Sequence, residues 1–141
     1  MHDTLKPGLS HALTFRVPET KTVAALYTES PEFQQMPKVF ATGFMVGLIE
    51  WACVQAINPH LDWPDEQTVG THVNLTHTAA TPPGMAVTVT VTLARVEGRK
   101  LVFHVSARDE VDAITEGTHE RFVIDAKRFN ARVADKARKN R

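Results

Sequence analysis

Between Val39 and Val54 only Thr42 and Glu50 are neither apolar nor glycine. A surface helix carries one apolar stripe and one polar face, so a stretch from Val39 to Ile57 that is apolar nearly all round reads as a helix enclosed by the rest of its domain. A carboxylate on such a helix has to find a partner, stay protonated or line a wet cleft. Glu50 is therefore either half of a structural ion pair with a buried arginine or a functional group, and the second reading is the expectation here.

The 141 residues suit one domain, residues 1–141, with enough chain to bury a core. Sixteen basic residues balance sixteen acidic ones, which gives no support to nucleic-acid binding. Cys53 is the single cysteine, so no disulfide forms within the chain, and a reducing, cytoplasmic setting is expected. Within the apolar helix it reads as a small core residue. The start, MHDTLKPGLSHALTF, lacks the apolar run of a signal peptide. The helix has nearly the length of a membrane span, but it carries Glu50 and stands alone, so a buried core helix and no membrane partner are expected.

Residues 9–17 read as a first strand. From Thr20 to Lys38, Pro31 and Pro37 flank Phe33 and Met36, a pattern that predicts a lid of one or two helical turns. The helix is expected to begin near Thr42, whose hydroxyl suits a cap, and to stop around Asn58 and Pro59, before a polar loop over 58–67. The period then changes to two. Val69, Thr71, Val73, Leu75 and His77 are expected on one face, with Gly70, His72, Asn74 and Thr76 on the other. After the turn AATPPG, Met85, Val87, Val89, Val91 and Leu93 alternate with threonines, and a turn at Glu97 and Gly98 returns the chain to Leu101, Phe103, Val105 and Ala107. A last strand over 113–126 contains Gly117, which suggests a bulge or a close backbone approach. Residues 128–141 form a basic tail that reads as solvated chain or frayed helix, with docking on phosphates as the alternative.

Taken singly, the polar candidates have ordinary readings. His77 serves as a hydrogen-bonded core histidine or as a base, Thr42 as a cap or as a nucleophile. His72 and His119 fall among strand residues without ligand spacing, and no metal or cofactor is expected.

One buried helix among five strands requires a sheet that curls around it. This order resembles the hot-dog fold, an α+β architecture in which an antiparallel sheet wraps one long central helix and two subunits pair. YTESPEF from Tyr27, ATGFMVGLIEWACV from Ala41, THTAATPPG from Thr76, VEGRKL from Val96 and GTHER from Gly117 are similar to the fluoroacetyl-CoA thioesterase family within that fold. The resemblance implies Thr42, Glu50 and His77 as catalytic residues, and Gly70 and Arg121 as contacts of the bound acyl-CoA. It also implies a lid over the substrate formed by Phe33 and Met36, where the family carries a second aromatic in place of Met36. Hydrolysis of a short-chain acyl-CoA by a homodimer is the expectation, with a hydratase or dehydratase and a non-catalytic acyl-CoA binding module as alternatives.

Geometry adds a constraint. Eight residues of helix separate Thr42 from Glu50 by about 12 Å along the axis and about 80° around it. Either two chains share the site, or the helix begins only after Thr42.

Overall fold

The computed structural model describes residues 1–140 and runs in the order β1 (Ser10–Arg16), α1 (Val23–Leu26), α2 (Pro31–Gln34), α3 (Thr42–Ile57), β2 (Glu66–Leu75), β3 (Ala86–Glu97), β4 (Lys100–Arg108), β5 (Ala113–Asp125) and α4 (Ala126–Lys139). The strands form one antiparallel sheet in the order β1-β3-β4-β5-β2, so β1 and β2 are its edges. Period-two alternation decides which face meets α3. Val87, Val89, Val91 and Leu93 of β3 and Leu101, Phe103, Val105 and Ala107 of β4 are buried with Met45, Ile49, Ala52, Cys53 and Ile57 of α3, while Thr88, Thr90 and Thr92 point away. Each large apolar side chain enclosed in this way contributes about 1.5–3 kcal/mol. This is the hot-dog arrangement expected from the sequence. None of its described helices is long and apolar enough to cross a membrane.

The expected enclosure of the helix is incomplete in the single chain. Gly47 is exposed, Trp51 keeps 50% of its surface and the Glu50 side chain keeps 40%. One curled sheet covers one side of α3, and the lid covers only its first turn. There Leu26 of α1 sits so close to Gly43 that a Cβ would lie 2.9 Å from its Cδ1.

The face assignment on β2 needs a correction. Gly70 pairs with Arg121 and His72 with Glu120, which leaves Thr71 as the extra residue of a β-bulge. One inserted residue inverts the alternation beyond it. Val69 therefore pairs with outward-facing Phe122, whereas Gly70 and Val73, on this exposed edge strand, share the sheet face of their buried partners Arg121 and His119. Across the same ladder Gly117 lies directly against Asn74, where the Asn74 carbonyl oxygen fills the space a Cβ would need. That is the close backbone approach its place in the strand suggested.

The tail is also more ordered than expected. Asp125 accepts from the Arg128 N–H at 2.9 Å and caps a 14-residue helix, α4, with no buried residue.

Candidate active site

The lid is a closed excursion. At its base Thr22 bridges Phe40, the Val23 N–H donates to Val39 O at 3.2 Å, and the Ala41 N–H donates to Lys21 O at 3.1 Å. Between these ties α1 and α2 present Tyr27 and Phe33, rings 6.3 Å apart, followed by Met36, which is 47% exposed.

Thr42 is the first residue of α3, with Ala41 as its N-cap. The expected capping role fails because the Thr42 hydroxyl is turned to His77, its Oγ1 2.7 Å from His77 Nδ1. His77 lies past the end of β2, so the loop rather than strand alternation aims it. The Thr76 N–H donates to Glu116 O at 3.1 Å and the Thr78 N–H to Ile114 O at 2.8 Å, so both neighbours of His77 are tied to β5. Farther along, Thr81 O accepts from the Phe40 N–H at 2.8 Å, and its buried hydroxyl donates to Asp109 at 2.8 Å. Glycine and proline shape the turn; these bonds hold it against the start of α3. Burial holds the His77 ring below its ordinary pKa, so the ring is neutral near pH 7 and able to accept a proton. Within one chain no carboxylate stands beside the ring to raise it. Its Nε2 is buried without a hydrogen-bond partner.

Glu50 stands in a second cluster. Its Oε1 accepts from Arg121 Nη1 at 3.0 Å and lies 4.0 Å from His119 Nε2. Arg121 is only 6% exposed and is heavily committed. Its Nε donates to Thr68 Oγ1 at 2.8 Å, Nη2 to Thr68 O at 2.9 Å, and Nη1 also reaches His119 Nε2 at 3.1 Å. His119, fully buried, donates through Nδ1 to His72 O at 2.8 Å, which leaves Nε2 as the acceptor facing Arg121. Burial, above all, keeps this imidazole below its ordinary pKa, against the pull of its bond to His72 O. The bulge places Gly70 over this cluster, and a Cβ there would lie 2.5 Å from Glu50 Oε1. Cys53, one helical turn beyond Ile49 in the core, has its thiol pushed up to about 12, chiefly by burial.

The structure thus brings Thr42 and His77 together, and separately Glu50, Gly70 and Arg121, while Phe33 and Met36 sit on the lid. His119 is the residue sequence reasoning passed over. Its signal was available, since a histidine two residues before Arg121 on one strand shares its face. Among the described residues no three His, Cys, Asp or Glu side chains are gathered as a metal site.

A profile of the FlK family, described as fluoroacetyl-CoA-specific thioesterase, matches residues 17–127. The fluoroacetyl-CoA thioesterase of Streptantibioticus cattleyicolor is 57% identical over 136 residues, covering 96% of this chain and 97% of that protein. Among solved structures, the fluoroacetyl-CoA thioesterase FlK superposes with a TM-score of 0.92 at 57% identity, over 95% of this chain and 98% of that one. A Thermus thermophilus member of the thioesterase superfamily matches with a TM-score of 0.85 at 25% identity, over 97% and 96% of the two chains.

Proposed function

The chain belongs to the family of fluoroacetyl-CoA-specific thioesterases, and from that premise we propose that its two clusters act as one site, shared between two copies of the protein. The protein is a thioester hydrolase acting on acyl-CoA. The observation that carries the chemistry is the 2.7 Å contact between Thr42 Oγ1 and His77 Nδ1, the spacing of a nucleophile and its base.

In this reading neutral His77 takes the Thr42 proton as Oγ1 adds to the thioester carbonyl. The tetrahedral oxyanion is met by N–H groups of the first turn of α3, where the intrahelical ladder starts only with Met45 N–H to Ala41 O. The C–S bond breaks, the proton returns from His77 to the CoA sulfur, and water then releases the acid from acyl-Thr42. Rapid-quench mass spectrometry should find an acyl group on Thr42. Burst-free turnover with no acylated protein would transfer the attack to a water held by Thr42.

Two copies pairing through β2 would bring the clusters together. That edge strand is largely exposed in one chain, as are Gly47 and Trp51 of α3. Thr42 and Glu50 lie on one continuous helix and hold different partners, whereas His77 Nε2 is buried without one among the described residues. Pairing would set Glu50 of the partner subunit beside His77. A free, buried cysteine fits a reducing cytoplasmic setting for this assembly. A hydratase is not favoured, because the matched family and the 57% identical relative are thioesterases, and a binding module would have no use for an aligned hydroxyl and base.

The pH dependence follows from the signs. Burial lowers the His77 pKa, and a carboxylate beside it would raise it. Activity requires the neutral ring, so kcat/KM falls as pH drops through that pKa. In Glu50→Gln, where burial acts alone, the residual acid limb should lie below about 6.5 and below that of the unmodified protein. A limb that stays in place would remove Glu50 from the surroundings of His77.

The lid should decide selectivity. A difference the size of a methylene is worth about 1–3 kcal/mol in an apolar pocket, and fluoroacetyl and acetyl groups differ by less. Met36 is flexible and half open to solvent, so it closes the pocket less rigidly than an aromatic ring. Fluoroacetyl-CoA should be preferred over acetyl-CoA by no more than about tenfold, and more sharply in Met36→Phe. A strong preference in the unmodified protein, measured as the ratio of kcat/KM values, would show that Met36 is not the discriminating position.

A further inference from the structure

Coenzyme A brings phosphates, and the site described above has little cationic capacity left for them. Arg121 is buried and gives its N–H groups to Thr68, Glu50 and His119. The charge of the chain is also unevenly placed. Residues 127–141 hold seven basic residues and one acidic one, which leaves nine basic against fifteen acidic residues in the remainder. A polyanion approaching that remainder alone is repelled.

The exception is α4. Its six basic side chains, Lys127, Arg128, Arg132, Lys136, Arg138 and Lys139, are exposed, and within the helix only Arg138 is paired, with Asp135. At 100° per residue Arg128, Arg132, Lys136 and Lys139 fall within an arc of about 80°. Arg132 lies over the Phe129 ring at 5.9 Å, which steadies that face. The helix is not a loose tail, since Asp125 caps it and the Ala126 N–H donates to Asp65 O at 2.9 Å, tying its start to the residue before β2. It begins five residues after Arg121, roughly 16 Å along β5, whereas His77 sits beside the opposite end of β5, where Thr78 bonds Ile114 O, so in the shared site the helix is that of the subunit supplying Glu50. The pantetheine arm sets a comparable separation between the thioester and the phosphates.

We propose that the basic face of α4 built from Arg128, Arg132, Lys136 and Lys139 is the subsite that receives the phosphates of coenzyme A. This rests on the thioesterase reading. The helix supplies both the long-range attraction that draws the substrate in and the short-range contacts that hold its nucleotide end, while the acyl end goes to the Thr42–His77 pair of the other subunit.

The test uses the full chain with Arg128, Arg132 and Lys136 changed to Glu, and a second variant with the same positions changed to Gln, which stays helical without reversing the charge. Acetyl-CoA is compared with S-acetyl-N-acetylcysteamine, which keeps the reacting end and lacks phosphates. Calorimetry with free CoA is run on the same proteins. The ratio of kcat/KM between the two substrates should fall by about tenfold or more in the Glu variant and by less in the Gln variant, through KM. The decline of acetyl-CoA kinetics with added salt should flatten, and CoA affinity should weaken in the same order. An unchanged ratio with unchanged CoA affinity overturns the proposal. So does recruitment of the protein to phosphatidylglycerol vesicles with unaltered acetyl-CoA kinetics, which would give the helix to a membrane surface. Hydrolysis of the truncated thioester keeps the thioesterase reading intact when the subsite fails. If the unmodified protein hydrolyses neither substrate, that reading fails, and calorimetry still judges the helix.

Discussion

Glu50→Gln and His77→Ala should each lower turnover on acetyl-CoA by at least about a hundredfold, the usual scale for losing a positioned base or the group that orients it. Neither change should unfold the protein. The amide oxygen introduced by Glu50→Gln can still accept from Arg121 Nη1, so the buried guanidinium keeps its partner. His77 is half-buried, and its one bond is to the exposed Thr42 hydroxyl, so its removal leaves no buried donor stranded. Circular dichroism and thermal melting would establish that both variants are folded, after which release of free CoA thiol reads the chemistry. Near-normal turnover in the folded variants would sink the assignment of these residues, and the family's activity would have to be carried by other groups in this chain.

The second large effect is a gain. Subunits carrying Thr42→Ala and subunits carrying Glu50→Gln should each be inactive alone, yet a heterodimer of the two contains one site with an intact Thr42, His77 and Glu50. Random exchange puts half the chains in heterodimers with one working site in two, so the mixture should recover roughly a quarter of the unmodified activity. Differently tagged subunits allow the heterodimer to be isolated and its content demonstrated. A site complete within one chain gives no recovery at all. Because the expected answers are a quarter and zero, modest errors in mixing do not blur the result.

The buried helix and the long hairpin were legible in the sequence because each depends on a run of local signals that agree. Apolar residues surround Val39–Ile57, and strict alternation from Val87 to Leu93 leaves one choice of inward face. Gly70 was misplaced for a reason equally local. Alternation counts residues, and the bulge at Thr71 adds one that nothing in TVGTHVNLTHT announces. Thr42 fitted the profile of a helix cap so well that a tertiary contact had to reveal its other partner. His119 shows in the sequence only as a neighbour of Arg121 on one strand face, since its bond across to His72 O is a tertiary contact that no spacing within the strand encodes. The order in the tail was missed because composition registers charge more readily than the single cap at Asp125 that starts a helix.

Cys53 carries a hazard peculiar to proteins that handle activated acids. A cysteine thiolate attacks a thioester carbonyl as readily as any nucleophile in this chain, displacing the CoA thiol and keeping the acyl group as its own thioester. That exchange makes and breaks the same kind of bond, so nothing in its energetics opposes it, and an acylated cysteine on α3 would wedge the helix from the sheet. With the thiol pushed up to about 12, it stays protonated near pH 7, and it is enclosed beneath β3 and β4. The same enclosure that fills the core with a small sulfur side chain keeps the protein from becoming an acyl acceptor for its own substrate.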